Sequence, residues 1–188
     1  MTQTYLSTRG GMPEGLHPLL RDYPRETWPD HPNFARSIQH WMGAHLMFRQ
    51  LCQRVRQDTE MYLDKSRAPD DYADRLGHYG DQLVRNLHGH HHWEDSAFFP
   101  ELNRADPRFA RGLEILEADH AELDAVLDRL TRQSNRVIKL IQLDERQARE
   151  EAGGVLAEAA ATQSLLSRHL TDEEDLVVPI LLHHRMRG

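Results

Sequence analysis

Two stretches of the chain place a histidine four residues before a glutamate. The first runs His90-His91-His92-Trp93-Glu94-Asp95-Ser96-Ala97-Phe98-Phe99-Pro100, and the second His169-Leu170-Thr171-Asp172-Glu173-Glu174-Asp175-Leu176-Val177-Val178-Pro179. Both fit H-x-x-x-E-acid-x-x-apolar-apolar-Pro, and their histidines lie 79 residues apart. One further histidine precedes each copy, His45 and His120. On a helix, residues four apart share a face with their Cβ atoms about 6 Å apart. His90 with Glu94, and His169 with Glu173, can therefore each reach one point in space. Imidazole nitrogen with carboxylate oxygen suits iron, manganese or zinc. A glutamate from each of two facing helices can bridge two ions, with histidines completing the shell.

The elements that must position these groups follow from the apolar pattern. Four segments carry apolar residues at alternating steps of three and four: about 33–64, 70–99, 107–143 and 146–176. All six candidate ligands fall on these stripes. His45 follows Trp41, His90 and Glu94 follow Leu87, His120 follows Leu116, and His169 and Glu173 follow Leu166. An ionised glutamate among leucines is costly to bury without a partner, and metal cations supply the compensating charge. Alternating strand patterns are absent. Short connections between long helices predict an all-α fold, an antiparallel up-down four-helix bundle over 33–188. Residues 1–32, broken by Gly10, Gly11, Pro13, Gly15, Pro18, Pro24, Pro29 and Pro32, read as an irregular N-terminal arm packed on the domain through residues such as Leu16, Leu19 and Trp28. Asp106 is the expected N-cap of the third segment, with Pro107 at its first position. Pro100 and Pro179 are expected to kink or end their helices.

Several neighbours compete for the ligand role. His91–Asp95 and His88–His92 also have i, i+4 spacing. The second copy has Leu170 and Thr171 where the first has His91 and His92, so the repeat selects His90 and assigns His88, His91 and His92 to the solvated face. His17, His31, His40 and His78 have no carboxylate at ligand spacing, and His183-His184 reads as a surface pair. Asp95, Asp119 and Glu174, each adjacent to a candidate ligand, are candidate acceptors behind the ligands. Arg49 and Asp124 follow His45 and His120 by four residues. They read either as salt-bridging residues beside the stripe or as an arginine holding a carboxylate and an aspartate joining the ligand set. Cys52 falls on the first stripe and reads as a small core residue.

Composition narrows the function classes. At 188 residues the chain is long enough to bury a real core. A net charge of −7, from 23 basic against 30 acidic residues, argues against a nucleic-acid partner. A single cysteine excludes a disulfide framework, a CxxC pair and a cysteine zinc cluster. Met1 to Leu6 lacks the basic region and apolar run of a signal peptide. The apolar run from Leu176 to Leu182 contains Pro179 and is too short to span a bilayer. A cytoplasmic protein with no membrane partner is expected. No Ser-His-Asp or Cys-His constellation is legible, and no catalytic residue is assigned.

The two H-x-x-x-E-[DE]-x-x-h-h-P segments, with His45 and His120, resemble the hemerythrin-like, or HHE cation-binding, family across about residues 33–182. The resemblance implies a hemerythrin-type bundle holding two iron ions with an oxo or hydroxo bridge. His45, His90, His120 and His169 match the family's terminal iron ligands, and Glu94 and Glu173 its bridging carboxylates. Oxygen-carrying hemerythrins have a second histidine four residues after the one matched by His120, where this chain has Asp124. The four-histidine, two-glutamate pattern looks more like bacterial relatives linked to repair of damaged iron centres, yet the cysteine pair of their additional N-terminal domain is missing here. Single-domain relatives are associated with oxygen or nitric oxide sensing, peroxide breakdown and iron handling. The expected activity is binding or reduction of O2, NO or H2O2 at a di-iron centre, with a peroxide- or NO-consuming oxidoreductase as the enzymatic form. The alternatives are a non-catalytic metal-binding sensor or iron-handling module, and the same scaffold with zinc or manganese.

Overall fold

The first long helix buries Ile38, Trp41, His45, Phe48, Cys52, Val55, Thr59 and Tyr62 at steps of three and four, with Asp58 buried beside Thr59. That spacing keeps one face of an α-helix turned inward over its whole length. The computed structural model describes residues 5–186. Those residues form five α-helices: α1 Arg36–Leu63, α2 Pro69–Trp93, α3 Phe99–Ala105, α4 Ala110–Leu143 and α5 Glu145–His183. They include no strand, and no helix among them is long and apolar enough to cross a membrane. The arrangement is all-helical and consistent with a helical bundle.

Local chemistry sets most of the boundaries. Pro69 opens α2, where its missing N–H costs nothing. Asp106 accepts from the Arg108 backbone N–H, with Pro107 next in line, as its N-cap role requires. The single residue between α4 and α5 is Asp144, which accepts from the Gln147 N–H at 3.1 Å and so caps α5 as it begins. The helix of the fourth expected segment, α5, extends past the expected end near 176, because Pro179 lies inside it without stopping it. Pro100 acts differently. It follows a five-residue π turn, Glu94–Phe98, and stands in the first turn of α3. Proline lacks an N–H and crowds the carbonyl four residues back. A widened turn relieves both problems while the chain stays helical.

The chain divides into two compact units. One comprises Met47–His90 and Leu123–Leu166. Its packing is carried by Tyr62 stacked on Tyr72 at 4.4 Å, the Tyr72 hydroxyl donating to Thr59, and Asp58 accepting from Arg75 at 2.9 Å. Arg136 pairs with Glu151 and Arg129 with Glu158, so positions descend along α4 as they ascend along α5. Cys52 is fully buried and donates to the Ala159 carbonyl.

The other unit comprises Met1–Leu46, His91–Glu122 and Ser167–Gly188. Its core gathers Ile38 and Trp41 of α1, Phe98 of the π turn, Phe99 and Leu102 of α3, Leu113 and Leu116 of α4, and Leu176 to Leu182 of α5. Met12, Leu19 and Trp28 from the N-terminal segment join the same core. That segment folds as short 3-10 turns at Glu14–Leu16, Pro18–Arg21 and Arg25–Asp30. Gly112 allows a close approach in this unit, since a Cβ there would fall 2.8 Å from a methyl of Leu176, one turn after Glu173.

Candidate metal centre

α1, α2, the π turn, α4 and α5 each bring a polar group onto the buried stripe of this unit. His45, Glu94, His169 and Glu173 are fully inaccessible to solvent, and His91 and His120 nearly so. His91, His120 and His169 offer ligand atoms within 4.8 Å of one another. His45, Glu94 and Glu173 do the same. Five of the six residues singled out by the sequence, His45, Glu94, His120, His169 and Glu173, thus fall into two adjoining groups. The structure adds His91.

The placement of His91 corrects the sequence expectation. It is 3% exposed rather than solvated, and its ring stacks on His120 with centroids 3.9 Å apart. The buried positions after Leu87 are His91, Glu94 and Phe98, while His90 is half-buried with its ring edge-on to Phe48, and Ala97 is exposed. Where the pattern suggested steps of three, four and three, the helix makes four, three and four. The π turn then turns both Phe98 and Phe99 inward. His88 and His92 are exposed as expected.

Behind the donors stands a ring of hydrogen bonds that links α1, the π turn, α4 and α5. Trp41 Nε1 of α1 donates to Glu94 Oε1 at 2.8 Å. Asp95, next to Glu94, holds His120 Nδ1 of α4 at 2.8 Å. Asp119, next to His120, holds His169 Nδ1 of α5 at 3.2 Å. Glu174, next to Glu173, holds His45 Nδ1 of α1 at 3.0 Å. The three acids that flank ligands in the sequence therefore serve histidines on other helices. A carboxylate at Nδ1 fixes the ring's orientation and directs Nε2 the opposite way.

The inward-facing atoms do not satisfy one another. His45 Nε2 and His169 Nε2 lie 3.5 and 3.8 Å from Glu173 Oε2, and His120 Nε2 lies 3.7 Å from Glu94 Oε2. These distances are too long for good hydrogen bonds. His120 Nε2, His169 Nε2 and both Glu173 oxygens are buried and make no hydrogen bond. Two donors sharing an ion at a tetrahedral angle, each about 2.1 Å from it, stand about 3.4 Å apart. The observed spacings approach that value, and the donor set fits a cation.

The electrostatics agree. Burial, reinforced by repulsion from Glu94, holds the Glu173 carboxyl well above the usual carboxylate range. Burial, with His120 nearby, holds His169 well below the usual imidazole range. Neutral imidazoles are the form that binds metal, and an ion would restore the charge that burial removes from Glu173.

Asp124 takes no part in either group. It is exposed and pairs with His88 at 3.2 Å, as its position beside the stripe allowed. Arg49 is half-buried. Burial pushes the Cys52 thiol up to about 12, in keeping with an inert core residue.

A family model for the hemerythrin HHE cation-binding domain matches residues 36–181. The chain belongs to the hemerythrin HHE cation-binding family. The match spans α1 to α5 apart from the last two residues of α5, and so takes in every donor described above. No curated protein and no solved structure matches the chain significantly. As an HHE domain the chain carries a cation-binding function, and its His/Glu cluster fits that function.

Proposed function

We propose that the chain is a carboxylate-bridged di-iron protein that binds or reacts with a small oxidant, O2, NO or H2O2. In this reading α1, α2, α4 and α5 form an antiparallel up-down four-helix bundle around the centre. One observation carries it: each glutamate faces histidines of both donor groups. Glu173 Oε2 stands between His45 and His169, while Glu94, grouped with His45, approaches His120. A carboxylate so placed suits bridging two ions rather than capping one. His91, His120 and His169 would serve one ion, His45 and His90 the other, and Glu94 and Glu173 both.

When bound, the iron pair supplies the electrons and the open coordination position that an oxidant requires. The chain's own residues do the rest. Asp95, Asp119 and Glu174 keep three imidazoles aimed inward, and Trp41 fixes one oxygen of Glu94. Trp41 lies edge-on to His45 at 4.2 Å, and Phe99 stacks near His120 at 5.7 Å. These aromatic walls limit water at the site. The oxidant arrives by diffusion, in the cytoplasm, with no nucleic-acid or membrane partner.

The second reading is a non-catalytic sensor or iron-handling module. The direct reach of the N-terminal segment to Asp119 and Glu174 favours it, since that contact gives the site a route to the surface. Zinc or manganese on the same donors is the remaining variant. The deciding experiment is elemental analysis of untagged protein, followed by optical spectra after anaerobic ferrous loading and exposure to air. Two irons per chain with near-ultraviolet bands are expected, and Glu94→Ala or Glu173→Ala should empty the centre. One zinc, or a double-alanine variant that keeps two irons, would overturn the di-iron reading.

A further inference from the structure

We propose that Arg9 and Arg25 are positioning residues of the metal centre, and that the N-terminal arm completes it by clamping two of the carboxylates that hold the ligand histidines. This inference rests on the di-iron reading above and extends it to a segment outside the matched family region.

Arg9 is 7% exposed. Its Nη1 donates to Asp119 Oδ1 at 2.6 Å, its Nη2 also reaches Asp119 Oδ2, and its Nε and Nη2 reach Asp172 Oδ2 at 3.0 and 2.8 Å. A guanidinium this buried is tolerable only when its donors are matched, and the planar fork suits paired carboxylates. Asp119 is the carboxylate that holds His169. Arg25 makes a similar set of contacts, all of them on α5. Its Nη1 donates to Glu174 Oε2 at 2.8 Å, its Nε to Asp175 at 2.5 Å, and its Nη2 to the Thr171 carbonyl at 2.9 Å. Glu174 is the carboxylate that holds His45. Two chains of contact result, Arg9–Asp119–His169 and Arg25–Glu174–His45, and each ends in a different donor group.

The distances carry a trace of this sharing. Asp119 Oδ2 accepts from Arg9 and faces His169 at 3.2 Å, whereas Asp95 faces His120 at 2.8 Å. Sharing one oxygen between a guanidinium and an imidazole leaves the longer contact on the His169 side. The arm therefore sets both where His169 and His45 point and how strongly their carboxylates pull on them. Arm docking does not depend on these arginines alone. The Met12 N–H donates to Asp172, the Leu6 and Ser7 N–H groups donate to Glu122, and Trp28 is buried in the core.

The test uses the full chain as wild type, Arg9→Gln, Arg25→Gln and Arg21→Gln, the last an exposed arm arginine paired only loosely with Glu14 at 3.7 Å. Metal is removed by chelation, and Fe(II) alone is titrated back anaerobically against a competing chelator. Wild type should take up two equivalents. Arg9→Gln should weaken one equivalent by about 10- to 100-fold, Arg25→Gln the other, and the double variant both, the size expected for losing an outer partner of a ligand. Arg21→Gln should match wild type. Arg9→Lys, which keeps the charge and loses the fork, should act in the same direction and serves should Arg9→Gln not fold. Wild-type affinity in folded Arg9→Gln and Arg25→Gln would overturn the proposal. So would an equal weakening of both equivalents that merely tracks a fall in apo-protein Tm, the signature of an arm that only stabilises. Wild type that binds no iron would overturn the di-iron reading itself, a distinct result.

Discussion

Asp119 and His120 are sequence neighbours that serve different parts of the centre: the aspartate holds His169 Nδ1 at 3.2 Å, while the histidine beside it is held by Asp95. One helical turn of α4 thus supplies both a donor and the support for a donor on α5. Replacing Asp119 by asparagine should keep the shape and lose the charge. Metal affinity is expected to fall about 10- to 100-fold, with Glu174→Gln showing a comparable loss through His45. A chelator-competition titration checks both. Unchanged affinity in either variant would remove that carboxylate from the account.

The four clustered histidines of α2 should separate into two classes. His90→Ala and His91→Ala are expected to weaken metal binding by at least the tenfold or so that loss of an outer partner causes. His88→Ala and His92→Ala, both at exposed positions, should leave it unchanged. Four parallel titrations decide it. Normal binding by His91→Ala would return the ligand set to the six residues of the repeat.

Metal removal should lower thermal stability. Two buried glutamates facing buried histidines are costly without a cation to offset their charge. An ion bound at a hundred times its Kd stabilises by about 2.7 kcal/mol, equivalent to about 5–10 °C in Tm for a chain of this size. Calorimetry with and without chelator measures the difference. A Tm that ignores the chelator would mean that the donors are satisfied without metal.

Asp106 sets an acid-side dependence away from the centre. Its hydrogen bonds from the Arg108 side chain, and further from His184, outweigh the opposing effect of burial and hold its carboxyl well below the usual range. A depressed folded-state pKa contributes stability that is full above the unfolded value of about 3.9 and is lost as pH falls toward the folded one. Asp106→Ala should cost about 1 kcal/mol at neutral pH, the usual size of an N-cap effect. The gap from wild type should narrow below about pH 4. Melting curves from pH 6 down to pH 2 test the sign. A gap that widens on acidification would rule out Asp106 as its source.

The stripes were legible because steps of three and four leave little choice of element. The acids flanking the ligands could be proposed as supports from adjacency alone. Which histidine each acid serves could not, because those pairs join different helices. The His91 register departs from the expected one for a related reason. The repeat aligned His91 with Leu170, and in the structure both are buried, so the comparison pointed to an inward position that the preference for His90 passed over. The π turn before Pro100 was also hidden, since the matching Pro179 sits in an uninterrupted helix. Nor did any pattern connect Arg9 with Asp119 and Asp172, which lie 110 and 163 positions away. The arm's breakers announced irregular backbone and said nothing of its targets.

Cys52 gives the protein an internal clock. The folded thiol is shielded completely and held far from its reactive thiolate form, so a maleimide can modify it only in molecules that have opened. With a single sulfhydryl in the chain, each modification event counts one excursion. When reclosing outruns modification, the labelling rate is the free-thiol rate scaled by the fraction open. Ligand-dependent changes in that fraction could be followed by mass spectrometry, with no engineered probe.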